Sequence, residues 1–537
     1  MTRNNHPRVT IVMTARERYA LTLAAIDSIV CNTSAPYRFI YLDIQSPDWL
    51  REQLKSRPEL EVVRFDRPLW PQQARACVAG SIETDYVVFI DNDVQVEPGW
   101  LDALVACADD TGAGVVGPLY LWGGGTTPKK IHMAGGRLSE MHEEGGRVLD
   151  EFHQLINESP EEVANELYRR PCDFVEYHCM LIRTALVRDG KLLDPDVYCV
   201  HEHIDTALAA KRLGYDVFLE PSARVTYLAF SEYMLDDLTI FRDRWSQADA
   251  EASIEAFSRK WHVINDNRSF GKVRQFLHTH TLQVDPIRPP ASAHRARDVP
   301  MRREELRQTR SDLMDFAMER GYQSQELTLL ANAYHLAHLL MDGGYRPCGR
   351  PFINHLVGTA SALIRYDFRV ETVAAGLLHS AYTHCPPHNG NPRAAADTVC
   401  AWLGGRDSAL EKRVRAYTQR SSHWAKPQAN SNPFQNISIL DAEILAIAAA
   451  NEVDMHLSGE YRYTKRTDAP APQVMQAMFD TCRTLGVSGL AETLRQTSLE
   501  QAPVQTQFVT RMTGSYRIGQ DRQHAVNMVS DVPSVLL

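Results

Sequence analysis

The run DYVVFIDNDVQV, Asp85 to Val96, constrains the fold of this chain more than any other segment. Its apolar stretch shows no polar alternation, so a strand here must be covered on both faces, as in sheets flanked by helices. It ends abruptly in Asp91, Asn92 and Asp93. The segments before it alternate in the same sense: RVTIVMT reads as a strand, RERYALTLAAIDSIV as a helix, YRFIYLDIQS as a strand, PDWLREQLKSR as a helix, LEVVRF as a short strand and QQARACVAGSIE as a helix. This β-α-β order builds a parallel sheet and predicts one α/β domain. Glycines clustered between Leu119 and Gly146 predict mobile loops or a hairpin near a site, with an exposed connection as the equal alternative. LDDLTIFRDRW and EASIEAFSRKW read as amphipathic helices that close the domain.

A chain of 537 residues exceeds what one core organises, so a second domain is required. The proline-rich stretch VDPIRPPASAHRARDVP, Val284 to Pro300, is the linker. The division is therefore 1–283 for the α/β domain, 284–300 for the linker and 301–537 for a second domain. That domain is predicted all-α, because ELTLLANAYHLAHLLMD, FINHLVGTASALIRY, VETVAAGLLHSAYTH, AADTVCAWLG and LDAEILAIAAANEVDMHL all carry apolar residues at helical spacing. PPHNGNPR and SSHWAKPQANSNPFQN read as loops between its helices.

A net charge of −10 and a pI near 6.1 argue against a nucleic-acid partner or a broad anionic-membrane surface, while leaving room for a local basic pocket. Ten cysteines without CxxC pairs read as reduced thiols, neither a disulfide framework nor a zinc site. The N-terminus lacks an apolar signal core and no later run reaches spanning length, which predicts a cytoplasmic protein, free or peripheral to the inner face of a membrane.

A D-x-D triplet alone says little, since a chain this long contains about one or more by chance. Here the triplet follows a buried strand directly, so the carboxylates project where open α/β sheets bind ligands. Asp91 and Asp93 suit a hard Mg²⁺ or Mn²⁺ ion that shares its remaining positions with diphosphate oxygens and water.

Four ordered pieces between about residues 8 and 230 resemble family 2 glycosyltransferases of the GT-A fold: RVTIVMTARER, YLDIQS, QQARACVAG and DYVVFIDNDVQVEPGWLDAL. The resemblance implies transfer of a sugar from a nucleotide-diphosphate sugar, UDP-linked, to an acceptor hydroxyl with inversion and no covalent intermediate. It places Thr14, Arg16, Asp43, Arg75, Asp91 and Asn92 on the donor nucleotide and Asp91 and Asp93 on the metal. The acceptor is a glycan, a lipid-linked intermediate, a protein or a small molecule. Trp100 is expected to pack beneath the metal loop.

Transfer also needs a base for the acceptor hydroxyl. HEHIDTALAAKRLGYDVFLEP is similar to the acidic segment that opens a helix in the family, with Glu202 as the candidate base and Asp205 and His203 as alternatives. The family pattern has an aspartate where this chain has His203. Family members also often carry a metal-binding histidine where PSARVTYL puts Tyr227, and a neutral phenol is a poor ligand for a hard cation. His178, in VEYHCMLIR, is one candidate replacement, and it also suits a wall of the acceptor pocket.

In the second half, GRPFINHLVGTASAL and VETVAAGLLHSAYTH resemble the helical HD domains of stringent-response nucleotide hydrolases. His355 and His379 match the histidines, Ser380 replaces the aspartate, and Asn451 or Asp454 matches the last acid. Loss of an anionic ligand weakens a hydrolytic metal site, although His384 and His388 lie nearby for a softer ion. The expectation is a noncatalytic domain serving acceptor recognition, homo-oligomerisation or binding of a small nucleotide. Phosphohydrolysis by this domain, or noncatalytic nucleotide-sugar sensing, are the competing functions.

Overall fold

The apolar runs of the N-terminal half become the middle of a sheet, and the polar residues that end them line one edge of it. The computed structural model describes residues 6–124, 127–188, 190, 192–228, 232–289, 297–346, 348–384, 392–424, 434, 436–462, 470–500 and 516–517. The chain divides into two compact units, 1–281 and 282–537.

In the first unit the strands are β1 (Val9–Thr14), β2 (Tyr37–Ile44), β3 (Glu61–Phe65), β4 (Tyr86–Asp91), β5 (Val94–Val96), β6 (Val115–Gly124), β7 (Thr127–Met133), β8 (Gly136–Glu143), β9 (Gly146–His153), β10 (Arg170–Cys172), β11 (Cys179–Arg183) and β12 (Val217–Tyr227). The main sheet runs β10-β12-β6-β11-β4-β1-β2-β3, with β5 paired to β12 and β7 to β6. From β4 to β3 it is parallel, as the alternating sequence predicts. Every residue of β1 and β4 is buried, which explains why neither strand alternates.

The remainder is mixed. β11 runs antiparallel to both β4 and β6, and β10 antiparallel to β12. β11 follows a turn and not a crossover helix, so it enters the sheet from the carboxyl end of β4. Cys179 thereby pairs with Ile90 and His178 lies level with Asp91, whose N–H donates to the His178 carbonyl at 3.3 Å. The glycine-rich stretch is largely strand: β6 and β7 pair, and β8 and β9 form a hairpin. Gly136 is needed there because a Cβ would sit 2.3 Å from the Phe174 ring.

The first predicted helix begins only at Thr22, in Thr22–Asn32. Residues 16–21 form a loop because other residues claim their backbone. Asn92 Nδ2 donates to the Arg18 carbonyl at 2.5 Å, and the Tyr19 and Ala20 N–H groups donate to Asp237 at 2.7 and 3.2 Å. These tertiary hydrogen bonds outweigh a helix propensity of a few tenths of a kcal/mol per residue.

In the second unit the described residues are mainly helical, including Ser324–Met341, Phe352–Arg365, Val370–Leu378, Ala381–His384, Pro392–Trp402, Ala409–Trp424 and Ile439–Leu457. Ile439–Leu457 is buried around most of its circumference and packs on Phe352–Arg365. Most of the two expected loops, and His388, lie outside the described residues. No described helix is long and apolar enough to cross a membrane.

Candidate active site

The carboxyl ends of β4, β1 and β2 lie side by side, with Thr14 opposite both Asp91 and Leu42. Asp91, at the end of β4, is fully buried. Arg75 Nη2 donates to its Oδ1 at 2.7 Å, and Arg16 Nη1 to its Oδ2 at 3.3 Å. Burial opposes its charge, but Arg16, His178 and Arg75 together hold its carboxyl at about 2. The Arg75 guanidinium lies over the Tyr177 ring, 4.1 Å from its centroid, which fixes it with little other hydrogen bonding.

Asn92 is spent inside the protein. Its amide donates to Arg18 and to the Thr22 hydroxyl, and its Oδ1 accepts the Arg16 N–H at 3.2 Å. It shapes the loop that carries Arg16 and offers the donor no free group. Asp43 is likewise engaged, by the Ser46 N–H and Arg64 at 2.9 Å each and by Arg51 at 3.3 Å. Thr14 contributes its carbonyl to the Asn92 N–H, while its buried hydroxyl has no hydrogen-bond partner among the described residues.

Asp93 is different. It is fully buried, and neither carboxylate oxygen has a hydrogen-bond partner among the described residues. Burial, reinforced by the charge of Asp91, pushes its carboxyl up to about 6. A buried carboxylate left in this state is costly unless a cation joins it. Asp91, Asp93 and His178 can each direct one ligand atom into a group whose members all lie within 4.8 Å of one another. The residues present therefore fit a divalent ion, with one nitrogen among the oxygens. His178 Nδ1 is 3.2 Å from Asp91 Oδ2 but out of hydrogen-bond alignment. Tyr227 stacks on the His178 ring, centroids 4.1 Å apart, and donates its hydroxyl to Glu17 at 3.1 Å. The phenol buttresses the imidazole. Trp100 is buried, with its indole N–H on Thr33 Oγ1 at 3.0 Å.

Of the candidate bases, the structure brings only Glu202 to this cluster. It is the first residue of the helix Glu202–Arg212, and Arg16 Nη2 lies 3.0 Å from its Oε1, so one guanidinium spans Asp91 and Glu202. Its Oε2 is buried without a hydrogen-bond partner among the described residues. Against the effect of burial, Arg16 and Arg244 hold its carboxyl below the usual range, so it is ionised at neutral pH. Asp205 turns to the end of another helix, where Trp261 Nε1 donates to it at 2.7 Å and Lys260 Nζ lies 2.8 Å away. His203 faces Glu151, 3.4 Å away.

Beside Arg16 opens a cleft of about 500 Å³, lined among others by Ile44, Gln45, Leu69, Trp70, Tyr198 and Arg244. Trp70 and Tyr198 form an aromatic corner, centroids 5.5 Å apart. The sequence reading does not find Trp70, Tyr198 or Arg244. No spacing links them, and only the fold brings them together.

In the helical unit, His355 Nδ1 lies 2.7 Å from Asp454 Oδ2, and the His355 and His379 rings are 5.4 Å apart. The two Asp454 oxygens are each taken by an Arg350 nitrogen at 2.8 Å, so a guanidinium stands where a metal would neutralise this acid. His379 Nδ1 donates to the Gly376 carbonyl at 2.7 Å, and burial beside His355 pushes its pKa down to about 3.

Residues 10–188 match the family model described as Glycosyl transferase family 2. No curated protein matches the chain. Among solved structures, GalNAc-T7 with UDP, GalNAc and Mn²⁺ aligns at 15% identity and a TM-score of 0.33, over 52% of this chain and 58% of its own. This chain thus spans little more than half of that structure. S. aureus TarS 1-349 in complex with UDP-GlcNAc aligns at 14% identity and a TM-score of 0.30, over 68% of this chain and 90% of its own.

Proposed function

We propose that the N-terminal unit is a GT-A glycosyltransferase that moves a sugar from a nucleotide-diphosphate sugar, UDP-linked, to an acceptor hydroxyl with inversion, dependent on Mn²⁺ or Mg²⁺. The observation that carries this reading is Asp93, a buried carboxylate without hydrogen-bond partners among the described residues, at the carboxyl edge of the sheet's parallel part and inside the stretch that matches the family. Asp91, Asp93 and His178 would hold the ion, which when bound supplies charge to neutralise the departing diphosphate.

The chain's own residues do the rest. The cleft at Trp70, Leu69 and Ile44 receives the nucleoside, with the indole offering a stacking face. Arg75 fixes Asp91, and Arg16 sits between Asp91 and Glu202 within reach of the diphosphate. Glu202 accepts the acceptor's proton. A carboxylate held by a guanidinium is a weak base, and a diphosphate competing for Arg16 raises its basicity once the donor is bound. Asp205 and His203 serve as supports of the helix and of Glu151, not as bases.

The helical unit is read as a noncatalytic, HD-like domain because Arg350 occupies Asp454 and Ser380 brings no charge. Residues 284–300 are kept as the segment that follows the first unit, its described part belonging to the helical one through the Arg288 N–H on the Asp367 carbonyl at 2.8 Å, and the protein is placed in the cytoplasm. The experiment is incubation of the full chain with a panel of nucleotide-sugars and Mn²⁺, assayed for nucleoside diphosphate. Orthophosphate or pyrophosphate released from guanosine polyphosphates would instead make the helical unit a hydrolase.

A further inference from the structure

A second group of ligating side chains lies next to the Asp91–Asp93 cluster, and sugar transfer as described draws on none of it except His178. His132 comes from β7, His153 ends β9, and Glu176 and His178 occupy the turn that leads into β11. Three separate stretches of chain thus converge on one partly buried carboxylate. His132 Nε2 lies 2.9 Å from Glu176 Oε2, His178 Nε2 3.6 Å from the same oxygen, and His153 Nε2 3.5 Å from Oε1. The rings crowd together, with His132 centred 4.9 Å from His153 and 5.6 Å from His178.

Simple charge pairing does not need this arrangement, because one carboxylate is balanced by one imidazolium and extra histidines repel once protonated. Neutral imidazoles around a carboxylate form instead the donor set of a borderline divalent ion, two or three nitrogens and an oxygen, with bonds of about 2.0–2.2 Å. Ligand atoms from His132, Glu176 and His178 all lie within 4.8 Å of one another, a group separate in its acids from Asp91 and Asp93. His132 Nδ1 is buried with no hydrogen-bond partner among the described residues, while its Nε2 lies against Glu176, so the nitrogen that faces the carboxylate is the one that would ligate. His178 stands between the two groups, with Nδ1 on the Asp91 side and Nε2 on the Glu176 side.

We propose that His132, Glu176 and His178, with His153 beside them, form a second cation site that takes a transition-metal ion of the Zn²⁺ class, with its own acid and joined to the oxygen-rich site at Asp91 and Asp93 only through the opposite nitrogen of the His178 ring. The ion ties β7 and β9 to the turn before β11 and fixes the His178 ring from its Nε2 side. This site goes beyond sugar transfer and does not require it.

The test uses metal-stripped full-length protein in excess Mg²⁺, which occupies the oxygen-rich site, titrated with Co²⁺ as a coloured stand-in for Zn²⁺. Wild type is expected to bind one equivalent with visible ligand-field bands that Zn²⁺ abolishes. His132→Ala and Glu176→Gln should each weaken binding by about 100-fold or more, whereas Asp93→Asn should leave it unchanged. Absence of the bands in wild type, unaltered Co²⁺ affinity in a His132→Ala protein with native circular dichroism, or loss only in Asp93→Asn would overturn the proposal. Because a variant may fail to fold, anomalous scattering at the zinc edge from wild-type crystals grown with Zn²⁺ gives an independent answer. A peak bounded by His132, Glu176 and His178 supports the site, and a zinc peak only at Asp93, or none, refutes it.

Discussion

Replacing Asp93 with asparagine should make the metal-free protein more stable while removing its response to metal. In the folded chain burial lifts this carboxyl from an ordinary 3.8 to about 6. A shift of about two units at ~1.4 kcal/mol each sets a cost of roughly 3 kcal/mol for keeping Asp93 ionised at neutral pH. Asparagine has the same shape without the charge, but its desolvated amide returns ~1 kcal/mol of that gain. The net stabilisation is therefore ~1–2 kcal/mol, or ~2–6 °C in melting temperature for a unit of this size. The sign in pH follows from the raised value. Above the folded value near 6 the native state holds a charge it would rather not have, and below the unfolded value near 3.8 the cost vanishes. The difference between variant and wild type should thus be largest above pH 6 and shrink as pH falls toward 4. The assay is thermal unfolding of chelator-treated protein from pH 5 to 8, repeated with Mn²⁺, which should raise the melting temperature of wild type and not of Asp93→Asn. A metal-free variant less stable than wild type at pH 8, or one that Mn²⁺ stabilises equally, would refute the reasoning.

Glu202→Gln should still bind donor nucleotide, by calorimetry, yet lose transfer by about 100-fold or more; preserved turnover at saturating donor would assign Glu202 to binding. Asp205→Ala should cost ~2–3 kcal/mol in unfolding free energy, since it strands the Trp261 N–H and half of the Lys260 pairing, with kcat nearly unchanged. Arg350→Ala should destabilise the helical unit by ~3–5 kcal/mol, measured by denaturant unfolding of the full chain, because it leaves Asp454 buried with only His355.

The sheet edge was legible because β1 and β4 are short, largely apolar, fully buried runs that stop at polar residues, so Asp91 could be placed at a strand end from pattern, whereas Thr14 and Asp43 came from the family resemblance. What decides their roles was not. Asn92 and Asp93 are neighbours in one triplet, yet the Asn92 amide is consumed by Arg18, Thr22 and Arg16, while the Asp93 carboxylate has no hydrogen-bond partner among the described residues. That difference is made by a loop seventy-odd positions earlier in the chain, a separation no local pattern encodes. Asp205 sits one turn of helix beyond Glu202, and only the distant Lys260 and Trp261 draw it away. The alternation that predicts a parallel sheet ends at β4; β11 enters antiparallel through a turn, and that reversal is what delivers His178 beside Asp91. Arg350, which closes the acid of the helical unit, precedes its helix with no motif to announce it. His132 and Glu176 lie on separate strands and turns and carry no spacing of the kind a sequence reveals.

The central claim is that Asp93 holds the ion that supports sugar transfer. The rate of nucleoside diphosphate release from the preferred nucleotide-sugar, followed as Mn²⁺ is titrated into chelator-treated wild type and Asp93→Asn, tests it most directly. Wild type is expected to show a saturable Mn²⁺ dependence and the variant a loss of about 100-fold or more at every Mn²⁺ concentration. Equal rates in the two proteins, or release by wild type that no chelator suppresses, would contradict it.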